Sequence, residues 1–148
     1  MKRPPSPRYI EERMTEGLRE KGHRLTPQRL EIIRMLSRDT SHPGATEILK
    51  RVRKSLPNVS MSTVYYTLDM LKREGLIREI EFYDRDNRYD VNVKNHVNLV
   101  CLKCGTIEDF LTEIPISYAQ VREQTRFQPV DMRYEYYGYC KKCTRKRA

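Results

Sequence analysis

No stretch of the sequence approaches the roughly 18 apolar residues that a membrane-spanning helix needs. No membrane partner is therefore expected. The N-terminus, Met1-Lys2-Arg3-Pro4-Pro5-Ser6-Pro7-Arg8, is basic, but no apolar segment follows it. It reads as a solvated arm and not as a secretory signal. Cysteine is scarce, and none of the four lies outside a Cys-x-x-Cys pair. Histidine is scarcer still: His23, His42 and His96 are the three. Neither His42 nor His96 has a glutamate two residues on, so the His-x-Glu pair of a zinc nucleobase deaminase is missing. No enzyme and no small-molecule substrate are expected.

What is present is concentrated in the two pairs, Cys101-Leu102-Lys103-Cys104 and Cys140-Lys141-Lys142-Cys143. Each pair bends the backbone so that two thiolates reach one tetrahedral ion, and two pairs complete a closed S4 shell. Two disulfides or two redox pairs are the competing readings. Two matched pairs favour structural zinc, and without an export signal they point to a reducing cytoplasm. One zinc per chain, resistant to mild chelation, would separate zinc from thiol redox chemistry. The 35 residues between the pairs exceed a short zinc ribbon, so the ion would staple elements of a small domain. A closed S4 site leaves no open position for a substrate.

At 148 residues the chain forms one domain or two small ones. Its net charge is +9 and its pI about 9.5. Two zinc charges and four thiolates would bring that to about +7, still a charge that favours a polyanion. Residues 1–83 carry 17 basic and 11 acidic side chains, so this half is +6. Five basic residues between Lys141 and Arg147 more than cover the rest.

The first half reads as helices followed by a hairpin. A polar helix is expected from Tyr9 to Lys21, with Ile10, Met14 and Leu18 on one side. Thr26-Pro27 starts a second helix, with a hydroxyl cap and proline at the first helical position. Pro43 is expected to start a third, and Pro57-Asn58 to break it. Ser60 or Ser62 caps a fourth, which runs to Glu74 and ends at Gly75. Leu76 to Ile80 and Arg88 to Val91 read as a two-stranded wing, with Asp84 to Asn87 as its turn. From about Asn95 the pattern turns to strands, through Val97, Leu99 and the Thr106 to Phe110 segment. A helix near Ile116 to Gln124 and a last strand from Met132 to Tyr139 follow. The tyrosines of that strand suit packing and a subunit interface equally.

On a wheel of about 100° per residue, Val64, Leu68 and Leu71 form the core face of the fourth helix. Ser62, Tyr66, Asp69 and Arg73 lie opposite, with Tyr65 and Lys72 on the flank. Hydroxyls, tyrosines and basic groups on one face can reach base edges and phosphates. A basic helical half with a wing behind this helix suits helix-turn-helix docking. Ser62, Thr63, Tyr65, Tyr66, Arg73 and Arg29 are the DNA-binding candidates. Arg51, Arg53 and Lys54 are further candidates for phosphate.

From about Tyr9 to Cys143 the sequence resembles the ferric uptake regulator (Fur) family of metal-dependent repressors. The resemblance rests on Leu25-Thr26-Pro27-Gln28-Arg29, Ser62-Thr63-Val64-Tyr65, Gly75-Leu76-Ile77, Cys101-x-x-Cys104-Gly105 and Cys140-x-x-Cys143, in that order. It implies an α+β protein with a winged-helix DNA-binding domain and basic arm at 1–83. A wing end and hinge at 84–94 and a small α/β dimerisation domain at 95–148 would follow. It also implies a homodimer on palindromic double-stranded operators in the cytoplasm, with structural zinc at Cys101, Cys104, Cys140 and Cys143. His42, Asp90, His96, Asn98 and Asp109 resemble the regulatory Fe²⁺ or Mn²⁺ site of the peroxide-stress (PerR) branch, whose ligands are three histidines and two aspartates. Asn98 stands where the family has histidine. His42 and His96 match the oxidation-sensing positions. Asn95, Val97 and Asp131-Met132 stand where ligands of the iron branch's extra site would be expected. Two functions follow: a peroxide-responsive, metal-dependent repressor, or a repressor active with structural zinc alone because Asn98 has undone the regulatory site.

Overall fold

The computed structural model describes residues 4–82 and 84–145. Residues 1–3 of the basic arm, Tyr83 at the expected domain boundary, and Lys146 and Arg147 of the basic tail lie outside them. Two compact units result, one over Pro4–Val93 and one beginning at Lys94.

The first unit contains α1 (Pro7–Glu20), α2 (Pro27–Ser37), α3 (Ala45–Val52), α4 (Met61–Arg73), β1 (Arg78–Ile80) and β2 (Arg88–Asp90). Local chemistry sets the helix starts. The hydroxyls of Ser6, Thr26 and Ser60 accept from the backbone N–H groups of Tyr9, Arg29 and Thr63. Each thereby satisfies one of the orphan donors at a helix N-terminus. At the end of α4, Gly75 adopts φ +68°, and Leu76 N–H and Gly75 N–H donate to the Leu71 and Lys72 carbonyls. That pair of bonds is a Schellman closure, which needs the left-handed conformation glycine adopts without strain.

Apolar stripes from all four helices meet in one core. It contains Ile10, Met14 and Leu18 of α1, Ile32, Ile33 and Leu36 of α2, Ile48 and Val52 of α3, and Val64, Leu68 and Leu71 of α4. Ile77, Tyr89 and Val91 extend it to the two-stranded antiparallel wing, where Arg78 pairs with Asp90 and Ile80 with Arg88. This is a winged-helix arrangement.

Helix α1 starts two residues earlier than expected, at Pro7 behind the Ser6 cap, and both ends of α3 differ from the sequence expectation. Helix α3 starts at Ala45 with Gly44 as its cap, and not at Pro43. The Pro43 carbonyl accepts from Tyr89 N–H at 3.0 Å, and Gly44 bridges to Arg88, so β2 takes up the backbone that would have begun the helix. The same helix ends at Val52, well before Pro57-Asn58. Arg53 Nε there donates 3.0 Å to the Val59 carbonyl and closes the loop to α4.

The second unit contains β3 (Val97–Cys101), β4 (Ile107–Phe110), α5 (Tyr118–Thr125), β5 (Tyr134–Gly138) and α6 (Lys141–Arg145). Its sheet has the order β4-β3-β5, antiparallel on one side of β3 and parallel on the other. Ser117 and Gln120 form a reciprocal capping box, which places the start of α5 one residue past Ser117. The short α6 was not expected from sequence; it follows directly from the second cysteine pair.

Replacing Leu68 by alanine in the core of the first unit is expected to cost about 2–5 kcal/mol. Urea unfolding of the zinc-loaded full chain measures this. A loss under about 1 kcal/mol would show that Leu68 does not hold α4 on the core.

Candidate metal centres and nucleic-acid surface

The two cysteine pairs are brought together by sheet register. Cys101 is the last residue of β3 and pairs with Gly138 of β5, two residues before Cys140. Leu102 N–H donates to the Gly138 carbonyl at 2.8 Å, and Gly105, at φ +73°, turns the first pair back on Cys101. All four sulfurs lie within 4.8 Å of one another, and no disulfide joins them. Cys104 Sγ and Cys140 Sγ are 3.7 Å apart. A tetrahedral zinc with Zn–S bonds of about 2.3 Å needs an S···S edge of about that length. Backbone N–H groups of Cys104 and Cys140 hold the Cys101 thiol down at about 6. Burial, followed by the three neighbouring thiols, pushes Cys143 up to about 12. Four thiolates so close require a cation among them, and the donor set fits zinc.

His42 and Asp90 form a buried pair in the first unit, with His42 Nε2 3.5 Å from Asp90 Oδ2. The Ser41–Gly44 loop is strapped to β2 by three contacts. Arg88 Nη1 donates to the His42 carbonyl at 3.1 Å, Tyr89 N–H donates to Pro43, and Gly44 bridges to Arg88. A Cβ on Gly44 would meet the Asn87 carbonyl at 3.3 Å, so the close approach favours glycine. His42 itself has φ +57°, a conformation that costs a non-glycine residue roughly 1–3 kcal/mol. It also precedes proline, which disfavours compact backbone. The strap imposes this strained conformation and presents the imidazole to Asp90.

In the second unit His96 precedes β3, and its Nε2 lies 3.2 Å from Asn98 Oδ1 and 3.4 Å from Asp109 Oδ1. Asn98 and Asp109 are directly opposite across β3 and β4. His96 Nδ1 lies 2.7 Å from the Lys94 carbonyl. That oxygen can only accept, so Nδ1 carries hydrogen and Nε2 faces the two oxygens. His23, by contrast, pairs with Glu74 at 2.8 Å and is structural.

The outer face of α4 carries Ser62, Tyr65, Tyr66, Asp69 and Arg73, all exposed. The Arg29 guanidinium stacks 5.3 Å above the Tyr66 ring, and Arg73 pairs with Asp69 at 2.8 Å. Thr63 is only half-buried, and its hydroxyl lies 3.0 Å from the capping Ser60 hydroxyl. Between α4 and the wing runs an open cleft of about 470 Å³ lined by Tyr65, Tyr66, Lys72, Glu79 and Tyr89. Glu79 ties the two elements together by accepting from Lys72, from Asn87 Nδ2 at 2.9 Å and from Tyr89 Oη at 3.4 Å. Burial and the nearby Glu79 carboxylate raise the Tyr89 phenol well above its ordinary range, so it stays a donor.

Not every basic candidate faces outward. Arg51 is half-buried and pairs with Asp39 and Glu47; Arg53 and Lys54 are both exposed, with Arg53 Nε donating to the Val59 carbonyl. Sequence reasoning missed Glu79 and also Arg13, which donates to the Leu76 and Val91 carbonyls at 3.0 and 2.7 Å. Those partners lie 63 and 78 residues away, and no local pattern marks them.

The Ferric uptake regulator family model matches residues 20–137. Over 128 residues the chain is 38% identical to the peroxide-responsive repressor PerR of Staphylococcus epidermidis, covering 86% of this chain and 85% of that one. The solved structure of the Helicobacter pylori ferric uptake regulator, described as revealing three functional metal-binding sites, superposes with a TM-score of 0.75 at 28% identity. It covers 97% of both chains. PerR from Streptococcus pyogenes, solved for its peroxide sensing and gene regulation, gives 0.53 at 34% identity over 90% of this chain and 92% of that one. The chain belongs to the ferric uptake regulator family, in its PerR branch.

Proposed function

We propose that the protein is a metal-dependent transcriptional repressor that binds palindromic double-stranded operator DNA as a homodimer and responds to peroxide. The observation that carries this reading is the duplication of one chemistry. A buried histidine facing a carboxylate stands in each unit, His42 with the buried Asp90 and His96 with the more exposed Asp109. Both pairs offer nitrogen and oxygen donors suited to Fe²⁺ or Mn²⁺. Metal held at these donors, with Asn98 adding an oxygen beside His96, would couple metal occupancy to DNA binding. Pro4–Val93 is the DNA-binding unit in this reading, with α4 in the major groove and Ser62, Thr63, Tyr65, Tyr66, Arg73 and Arg29 at bases and phosphates. The unit beginning at Lys94 is the dimerisation unit. Its exposed Phe127, Val130, Tyr136 and Tyr137, the last two on β5, support that role. Zinc at the four cysteines is structural. Among the described residues no helix is long and apolar enough to cross a membrane, and the reading places the protein in the cytoplasm.

Bound Fe²⁺ would supply the reducing equivalents for peroxide. This chain's residues hold two imidazoles, His42 and His96, beside that chemistry as oxidation targets. Asn98 favours a second reading, a repressor that binds DNA with structural zinc alone.

Anaerobic binding of the zinc-loaded protein to its own promoter, with and without Mn²⁺, separates the two readings. A rise in affinity of at least tenfold, roughly 1.4 kcal/mol of coupling, is expected. High affinity that Mn²⁺ leaves unchanged would establish the second reading. Iron-loaded protein exposed to H₂O₂ is expected to gain one oxygen atom on His42 or His96 by peptide mass spectrometry. A protein that leaves DNA with both histidines unmodified would rule them out as sensors. Serine at Cys101 or Cys140 is expected to remove zinc and abolish the dimer, because binding and folding of such sites are coupled. A zinc-free variant that still sediments as a stable dimer would refute the stapling role.

A further inference from the structure

The donor set in the second unit is poor in nitrogen. His96 Nε2, Asn98 Oδ1 and Asp109 Oδ1 converge within 3.4 Å of the imidazole nitrogen. The Lys94 carbonyl fixes which ring nitrogen faces the oxygens. Cross-strand pairing fixes Asn98 against Asp109, so the amide is held in place by β3 and β4 and not by a mobile loop. An amide here contributes a neutral, hard oxygen where an imidazole would contribute a stronger nitrogen donor.

We propose that Asn98 is a direct oxygen ligand of the regulatory cation and weakens this centre's preference for Zn²⁺ over Mn²⁺ and Fe²⁺. The inference rests on the reading above that this region holds a regulatory ion. Divalent first-row ions gain affinity from Mn²⁺ to Zn²⁺ at sites of N, O and S donors, and that advantage is largest with imidazole and thiolate. Exchanging an imidazole for an amide oxygen therefore costs Zn²⁺ more than Mn²⁺, and the gap between them narrows. The same chain holds a four-thiolate centre that draws zinc strongly. Two centres of contrasting softness let one chain take zinc at the cysteines and keep the other position for a redox-active or hard ion. Asn98 is the residue that widens this contrast.

The test uses the full chain with zinc already at the cysteines, as wild type, Asn98→His, Asn98→Ala and Asn98→Asp. Mn²⁺ binding is followed by electron paramagnetic resonance of the free ion, Co²⁺ binding by its ligand-field absorption, and Zn²⁺ binding by chelator competition. Asn98→His is expected to raise Zn²⁺ and Co²⁺ affinity by roughly tenfold or more, with a much smaller change for Mn²⁺. The Co²⁺ spectrum should shift as nitrogen enters the shell. Asn98→Ala is expected to weaken Mn²⁺ binding by roughly tenfold. Asn98→Asp, which keeps an oxygen donor in the same shape, should retain the narrowed gap between Zn²⁺ and Mn²⁺ and guards against a folding defect in the alanine variant. The proposal fails if Asn98→Ala binds Mn²⁺ like wild type with an unchanged Co²⁺ spectrum, since Asn98 then only hydrogen-bonds His96. It also fails if Asn98→His strengthens Mn²⁺ as much as Zn²⁺. Absence of any second ion in all four proteins would instead overturn the regulatory-site reading, and this inference with it.

Discussion

The second unit has too thin an apolar interior to hold its sheet together without the four cysteines. Val97, Val100 and Ile107 are its buried aliphatic residues, and α5 buries none. At roughly 1.5–3 kcal/mol for each fully buried side chain, that interior offers little against the entropy of ordering some fifty residues. Cys101 and Cys143 are the remaining buried apolar groups, and they belong to the sulfur cluster. Two of the four candidate zinc ligands thus belong to the buried interior of this unit. Everything else in the unit depends on that arrangement. The register of β3 against β4 and β5 places Cys101 beside Gly138, and the same register places Asn98 beside Asp109. A slip of one residue would turn Asn98 to the opposite face and separate the sulfurs.

The first unit solves the opposite problem. Its four-helix core is well filled, and it can therefore sustain local strain. His42 sits in the left-handed region immediately before Pro43, which is an unfavourable combination. Three contacts to β2, one of them from the Arg88 guanidinium, hold it there. Without that strap the loop would relax and the imidazole would leave Asp90. The strained loop and the wing therefore act as one element, so a change in the wing reaches the histidine directly. Glu79 performs the corresponding task on the other side of the wing, where Lys72, Asn87 and Tyr89 converge on one carboxylate. Helix α4 and the wing are thus fixed relative to each other by polar contacts as well as by packing.

The features legible in the sequence are those with short-range chemistry. Hydroxyl caps at Thr26 and Ser60 and the glycine stop at Gly75 lie where local rules put them, because each completes hydrogen bonds within a few residues. The cysteine pairs were legible because two thiolates at that spacing have few other uses. The start of α3 was misread because Pro43 has a local signal for helix initiation, while a strand some 45 residues away claims its carbonyl. Arg51 and Arg53 read as phosphate candidates, and their partners Asp39 and Val59, set by tertiary packing, leave no local mark in the sequence. Arg13 and Glu79 could not be found at all, since their roles exist only once distant segments meet. His96, Asn98 and Asp109 lie between these cases. Their spacing on adjacent strands suggested a shared face, and only the register makes them neighbours.

The basic groups around the outer face of α4, which reads DNA in the proposed function, already have partners within the chain. Arg73 holds Asp69, Arg29 lies over Tyr66, and Lys72 is committed to Glu79. A guanidinium that leaves a carboxylate for a phosphate exchanges one ion pair for another, so its net gain is smaller than that of a solvated cation. The carboxylate left behind also repels the backbone of a wrong sequence unless a donor on a base edge meets it. This lowers affinity for arbitrary DNA more than for a matching site. A chain of net charge +9 would otherwise bind polyanions through charge alone, with little regard to sequence. On the proposed reading, these pairs around α4 would complement the excess charge of the chain: the charge would bring DNA close, and contact would be worthwhile only where base edges replace what Asp69 and Tyr66 give up.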